Sequence, residues 1–311
     1  MADHADDGDN NDVFVYMGGL IPQHLRETIT HVRVHKSVKI IHAKAFCECY
    51  NLVSIELYDG VEIIEGWAFH GCTSLREIKL LGVRVVGEMA FANCIELAEV
   101  EFGDKLEKIE EWAFVDTALR RVKIPKVRVI ESCAFGGCEQ LMEAKLSEDL
   151  ETIGYDAFTD CSLRRITLPL KANLLGDGVF YDCDDLSTVD LVGGIHKTIS
   201  SFLLDSWRNQ MKDEIDRISQ DLPNTDTNEK STAIQLWMER VIRRVEHYKS
   251  EHYALLKEFT TLLELALWKA KLDEMIKSDQ PAKKATARQE KRITSGANIV
   301  IKNVLPFLKL E

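Results

Sequence analysis

One phrase of apolar and polar positions recurs along the first two thirds of the chain. Aligned on Ala-Phe, it reads AFCECYNLVSIEL (45–57), AFHGCTSLREIKL (68–80), AFANCIELAEVEF (90–102) and AFVDTALRRVKI (113–124). It continues as AFGGCEQLMEAKL (134–146), AFTDCSLRRITL (157–168) and VFYDCDDLSTVDL (179–191). The aligned Phe residues are 46, 69, 91, 114, 135, 158 and 180, a period of 21 to 23. A shorter phrase precedes most copies: VEIIEGW, VRVVGEM, LEKIEEW, VRVIESC, LETIGYD. In Leu-x-x-Ile-x-Leu, alternate residues fall on one face of a short strand. A single unit cannot bury its Phe, Leu and Ile side chains, whereas stacked copies share one continuous core. In repeats four and six the stretch from Phe to Leu is one residue shorter, a change that a surface loop absorbs. The pattern predicts seven stacked repeats over 38–194. Residues 13–37 read as an N-terminal cap. There Ile29-x-x-Val32-x-Val34 imitates the strand, and the stretch 20–25 seals the open end.

After Gly193-Gly194 the period becomes helical. Ile199, Leu203, Trp207, Met211, Ile215, Ile218 and Leu222 form one apolar stripe, which predicts a helix over 197–222 ended by Pro223-Asn224. Asp226-x-x-Glu229 has the spacing of a capping box for the next helix. A second stripe runs through Ile234, Met238, Val241, Val245, Tyr248, His252, Leu255, Phe259, Leu262 and Ala266 in steps of four and three. That is a heptad seam. A single helix over 230–276 would be about 70 Å long, so it overhangs the repeats, breaks near Ser250 or pairs with another element. Two arrangements suit the seam. In one, 195–278 is a hairpin that caps the last repeat. In the other, 252–266 forms a coiled-coil dimer. Residues 279–292 read as a polar linker, and 293–311 as an amphipathic helix carrying Ala297, Val300, Ile301, Val304, Leu305 and Leu308.

The repeat unit A-F-x-x-C-x-x-L-x-x-I-x-L resembles the BspA-type leucine-rich repeat, and the resemblance covers about half of the chain. It implies an α/β solenoid: a right-handed stack with a parallel sheet on one face, here followed by an α-helical C-terminal unit. It also implies a non-catalytic recognition role.

Composition narrows the chemistry. The net charge of -12 argues against sequence-independent nucleic-acid binding, which needs clustered Lys and Arg. The first twelve residues, MADHADDGDNND, read as a disordered acidic lead-in, without the basic and apolar regions of a signal peptide. No apolar run reaches the length of a membrane span. Eight Cys without an export signal suggest reduced thiols, in the cytosol or the nucleus. Six of them, Cys49, Cys72, Cys94, Cys138, Cys161 and Cys183, follow their Phe by three residues, with Thr117 in the fourth copy. A straight column suits neither a disulfide nor a tetrahedral metal site, so these thiols read as small core fillers. Cys47 and Cys133 lie outside the column. His31 and His35 would stand about 13 Å apart on a strand and read as surface residues. No phosphate loop, nucleophile elbow or His-Glu-x-x-His pattern occurs, and no cofactor is expected.

A partner remains the expected ligand. The residues flanking each buried strand Ile point outward in two columns of mixed charge. The candidate contacts are Arg33, Glu56, Tyr58, Glu77, Lys79, Glu99, Glu101, Arg121, Lys123, Glu143, Lys145 and Arg165. Acidic Glu77, Glu99 and Glu101 meet basic Arg121 and Lys123 mid-array, where a protein or peptide of mixed charge would span the sign change. The alternative is an assembly protein that self-associates through its C-terminal helices.

Overall fold

The computed structural model describes residues 13–277. The acidic lead-in, the linker and the C-terminal amphipathic helix read from the sequence lie outside them. Strands are numbered in chain order. One column holds β1 (Val13–Tyr16), β2 (His31–Val34), β4 (Ser54–Glu56), β6 (Glu77–Leu80) and β8 (Glu99–Phe102). The same phrase of the later repeats forms β10 (Arg121–Lys123), β12 (Glu143–Lys145), β14 (Arg165–Pro169) and β15 (Thr188–Val192). A second column holds β3 (Ile40–Ile41), β5 (Ile63–Ile64), β7 (Val85–Val86), β9 (Lys108–Ile109), β11 (Val129–Ile130) and β13 (Thr152–Ile153). All pairing is parallel. The chain is therefore a β-solenoid, as its period predicts. The expected parallel sheet on one face is present, and a second one accompanies it. The phrase before each Ala-Phe builds a six-stranded sheet of its own, anchored by one fully buried residue per strand, such as Ile64 or Ile109.

The Ala-Phe turn makes a third hydrogen-bonded column. The residue just before Ala-Phe has positive φ in every repeat: Lys44, Trp67, Met89, Trp112, Cys133, Asp156 and Gly178. So does the residue two after Phe: Glu48, Gly71, Asn93, Asp116, Gly137, Asp160 and Asp182. The left-handed conformation is costly for residues with a Cβ. Here it turns amide N–H groups toward the next coil. Trp67 donates to the Glu88 carbonyl at 2.8 Å, Phe69 to Ala90 at 2.8 Å and Gly71 to Ala92 at 2.8 Å. Each coil thereby satisfies backbone groups that burial would otherwise leave unpaired. The strain is offset by three bonds per coil.

Inside these turns the Phe rings form one stack. Successive centroids from Phe46 to Phe158 lie 5.0 to 5.3 Å apart with planes within 6° of parallel. The last step, to Phe180, opens to 6.2 Å and 22°. Tyr16 closes the other end, 4.8 Å from Phe46, with its hydroxyl on the Gly19 carbonyl at 2.7 Å. The N-terminal cap thus contains an extra strand, β1, that the apolar pattern did not reveal.

The described helices are α1 (Gln23–Arg26), α2 (Ile195–Ser200), α3 (Asp205–Asp221) and α4 (Lys230–Lys277). The single helix expected over 197–222 is instead two. The chain breaks between Ser200 and Asp205, which leaves Leu203 exposed and Phe202 buried. The expected stripe also omits Glu214, which is buried. Helix α4 is unbroken through Ser250. Asp226 caps the turn before it, its carboxylate accepting from the Asn228 amide at 2.9 Å.

The chain divides into two compact units. Among the described residues, one comprises the repeats and Arg208–Arg244, and the other Phe202–Trp207 and 245–277. In the first unit, the start of α4 replaces the missing next coil. The Ser231 hydroxyl accepts the Phe180 N–H at 2.9 Å, where in earlier coils the next Ala or Val carbonyl does so. Buried Lys230 donates to the carbonyls of Cys183, Asp184 and Leu186 at 2.8, 2.5 and 3.3 Å. Burial pulls this ammonium below the ordinary lysine range. Farther along, Trp237 donates to the Glu214 carbonyl at 2.9 Å, and the Glu214 carboxylate meets Arg217, Arg240 and Arg244 at 3.3 to 3.5 Å. In the second unit, Trp207 stacks on Tyr248 at 5.2 Å, and Phe202 contacts the rings of Tyr248 and His252. His252 is thus a half-buried member of an aromatic cluster, its Nδ1 without a hydrogen bond.

Candidate partner-binding face

The outward residues of the first strand column align as the spacing predicts. Register places Arg33 beside Glu56, Ser54 beside Glu77, Glu77 beside Glu99 and Lys79 beside Glu101. Beyond the middle, Arg121 lies beside Glu143, Lys123 beside Lys145 and Glu143 beside Arg165. Several of these charges neutralise each other. Arg33 pairs with Glu56 at 2.7 Å, Lys79 with Glu101 at 3.3 Å, Arg121 with Glu143 at 3.8 Å and Arg165 with Asp190 at 3.4 Å. Glu56 holds the Arg33 guanidinium even above its usual range. All of these pairs are exposed to solvent, so they add little to stability. Tyr58 is expected beside the columns, as a contact. It lies past the end of β4, half-buried, and its hydroxyl is committed to the Val38 carbonyl at 2.9 Å.

The two ends of the array differ from its middle. Strands β8 and β10 are not hydrogen-bonded to each other, and the column divides there into sheets of five and four strands. The division falls where Phe102 holds a position that is Leu80 and Ile124 in the flanking repeats, and where repeat four is one residue short. The Phe102 ring sits edge-on to Phe114 at 5.6 Å. Val100 is only half-covered, whereas its counterparts Ile78 and Val122 are buried.

Over the division lies an open groove of about 920 Å³. Its apolar lining is Ile78, Ala98, Val100, Phe102, Pro125 and Met142. Its charged lining is Glu77, Glu99 and Glu101 with Lys79 on one side, and Arg120, Arg121 and Lys123 on the other. Among the described residues no ion pair crosses from Glu99 to Arg121 or from Glu101 to Lys123, although these occupy matching positions in neighbouring repeats. Opposite charges therefore face each other across apolar ground without neutralising each other. Eight of the twelve expected contacts, counting Glu143 and Lys145 on the strand behind Lys123, gather at or next to this groove; Arg33, Glu56 and Arg165 lie toward the ends. Arg120, Val100, Phe102, Pro125 and Met142 were not anticipated. Arg120 directly precedes β10, and its guanidinium donates to Gln140 at 3.4 Å.

The second column carries a different charge pattern. At one position of its entry turn the sign alternates without exception: Lys39, Glu62, Arg84, Glu107, Arg128, Glu151. Neighbours close as Lys39–Glu62 at 3.8 Å, Arg84–Glu107 at 2.9 Å and Arg128–Glu151 at 2.7 Å. That face is internally neutralised.

The thiols are committed to structure. Cys72, Cys94, Cys161 and Cys183 each donate to the Phe carbonyl of the preceding coil at 3.0 to 3.2 Å. Thr117 uses its hydroxyl on its own coil's Phe114 carbonyl at 3.0 Å. All eight cysteines are free, and burial pushes Cys49 up to about 11 and Cys183 up to about 12. Cys133 is buried, and Cys47 is the one cysteine with intermediate exposure. Among the described residues no cluster of three His, Cys, Asp or Glu is arranged to hold a metal ion, and no helix is long and apolar enough to cross a membrane.

The repeats match a known family model. The BspA type leucine rich repeat region matches residues 25–128 and 118–210, in six copies. Among solved structures, a leucine rich repeat protein of T. pallidum is 26% identical over 53% of this chain and 82% of its own, with a TM-score of 0.41. A leucine rich cell surface protein of Faecalibacterium prausnitzii is 25% identical, with a TM-score of 0.39. The match covers 53% of this chain and 55% of that one, so this chain spans about half the length of that relative. The pneumococcal vaccine antigen PcpA is 21% identical over 59% of this chain and 67% of its own, with a TM-score of 0.34. No curated protein matches the sequence. The family pattern extends over more than half of the residues, and the chain belongs to the BspA-type leucine-rich repeat family.

Proposed function

We propose that the protein is a non-catalytic interaction module that binds a protein or peptide in the groove between β8 and β10. The observation that carries this reading is the uncompensated sign change over an apolar floor. Glu99 and Lys123 have no ion-pair partner among the described residues, while flanking pairs such as Lys79–Glu101 are closed. Desolvating such charges is favourable only when a partner supplies their complements. The apolar floor of Val100, Phe102 and Met142 gives that partner a surface to bury. The family's repeat proteins fit an interaction role of this kind. Eight unpaired thiols fit a reducing compartment, cytosolic or nuclear.

The test is selection of binders from a peptide library on the full chain, followed by rebinding to Glu99→Lys/Lys123→Glu. Binders that carry both a cationic and an anionic residue, and that lose affinity at least about tenfold on the variant, support the reading. Binders indifferent to the variant would refute the assigned face.

A further inference from the structure

The second half of α4 has apolar residues on both sides. On one side Leu262 and Leu272 are buried, and Leu255, Phe259 and Ala266 are half-covered. On the other, Tyr253, Leu256, Leu263 and Leu267 are 71, 38, 59 and 64% exposed. With Thr260 these form a second seam in steps of three and four, distinct from the one that the sequence pattern emphasised. An apolar stripe on a helix calls for a covering partner, and this seam has no covering element among the described residues. Thr260 does not spoil it. Its hydroxyl is spent on the Lys257 carbonyl at 2.9 Å, which leaves its methyl group for packing.

We infer that this seam is the interface of an antiparallel coiled-coil dimer with a second copy of the chain. The flanking charges select both the occupant and the direction. In an antiparallel pair, Leu256 layers on Leu267 of the second copy, and Thr260 on Leu263 of the second copy. That register brings Lys257 to Glu264 of the second copy, and two-fold symmetry closes the same pair again. Neither side chain has an ion-pair partner within the chain among the described residues, and both are exposed. A parallel pair would instead set His252 against Lys257, Phe259 against Glu264 and Ala266 against Lys271, with no opposite charges joined. The pattern is therefore self-complementary in one direction only.

Sedimentation equilibrium on the full chain tests this, from about 1 to 50 µM, where a dimer's population follows concentration. The wild type is expected at twice the chain mass. Leu263→Glu is expected as a monomer with unchanged helicity by circular dichroism. Lys257→Glu sets like charges together twice and is expected to raise the dissociation constant about tenfold. Lys257→Glu/Glu264→Lys is expected to restore it. A monomeric wild type would overturn the inference, whether the seam is then bare or covered by residues 297–308 of its own chain. So would a dimer that survives Leu263→Glu. A double charge swap no tighter than the single one would overturn the antiparallel register. The charge variants keep the inference testable if Leu263→Glu fails to fold.

Discussion

The thiol of Cys94 donates to the carbonyl of Phe69, one coil back, at 3.1 Å. That carbonyl also accepts the Cys72 amide of its own coil at 3.1 Å. The cysteine thus ties successive coils together as well as filling space. Cys94→Ala removes both the sulfur's volume and the donor, and is expected to cost about 1–3 kcal/mol. Urea unfolding measures it, and an unchanged midpoint would contradict the assigned role.

Phe91 lies at the centre of the ring stack, 5.0 Å from Phe69 and 5.1 Å from Phe114, and is wholly buried. Phe91→Ala opens a cavity between two coils that the hydrogen-bonded turns prevent from collapsing. The expected loss is about 3–5 kcal/mol by denaturant unfolding. A loss below about 1 kcal/mol would mean that the ring is not a stacked core residue.

The buried thiols make stability depend on alkaline pH. Burial raises Cys49 to about 11 and Cys183 to about 12, against about 8.5 for a free thiol. An acid raised in the folded state supports folding below its unfolded pKa. It loses that support as pH rises, because the unfolded chain releases the proton first. Stability is therefore expected to be insensitive to these groups below about pH 8.5 and to fall from there through about pH 12. Comparing wild type with Cys183→Val across that window isolates the effect, and the variant is expected to fall less steeply. In the native state at pH 8, Cys47 is expected to react first with an alkylating reagent, and the column thiols only on unfolding.

Ser231 stands in for a carbonyl. It accepts the Phe180 N–H that no further coil can take. Ser231→Ala leaves this amide buried without a partner and is expected to cost about 1–3 kcal/mol. Thermal unfolding of the repeats checks it, and a neutral substitution would show that the end of the solenoid is closed by other contacts.

Most of the solenoid can be read from the sequence because its core is periodic. The Phe residues, the cysteine column and both outward columns fall where the repeat puts them, and Arg33, Glu77 and Arg165 are exposed as expected. The second sheet is harder to see. Each of its strands is two residues long, too short to show alternation, and the phrase VEII looks like any apolar step. Lys230 and Ser231 are polar residues that belong to the core only because backbone groups of the last coil need partners, and no periodicity encodes that. The helix break hides behind a stripe that continues on paper through Leu203, whereas Phe202 is the residue that turns inward. The groove itself was half legible. The sign change from Glu99 to Arg121 is plain in the alignment. The parting of β8 from β10 is not, because Val122 and Ile124 keep the register of the repeat. Only the larger Phe102 and the one-residue deletion after Phe114 hint that pairing stops there.

The most direct measurement compares two charge reversals by isothermal titration against one selected binder. Glu99→Lys/Lys123→Glu alters the groove, and Arg84→Glu/Glu107→Arg alters the neutralised second face while keeping its ion pair. The groove variant is expected to bind at least about tenfold more weakly, with the second-face variant unchanged. Equal affinity for the groove variant and the wild type, or an equal loss in both variants, would contradict the groove as the binding site.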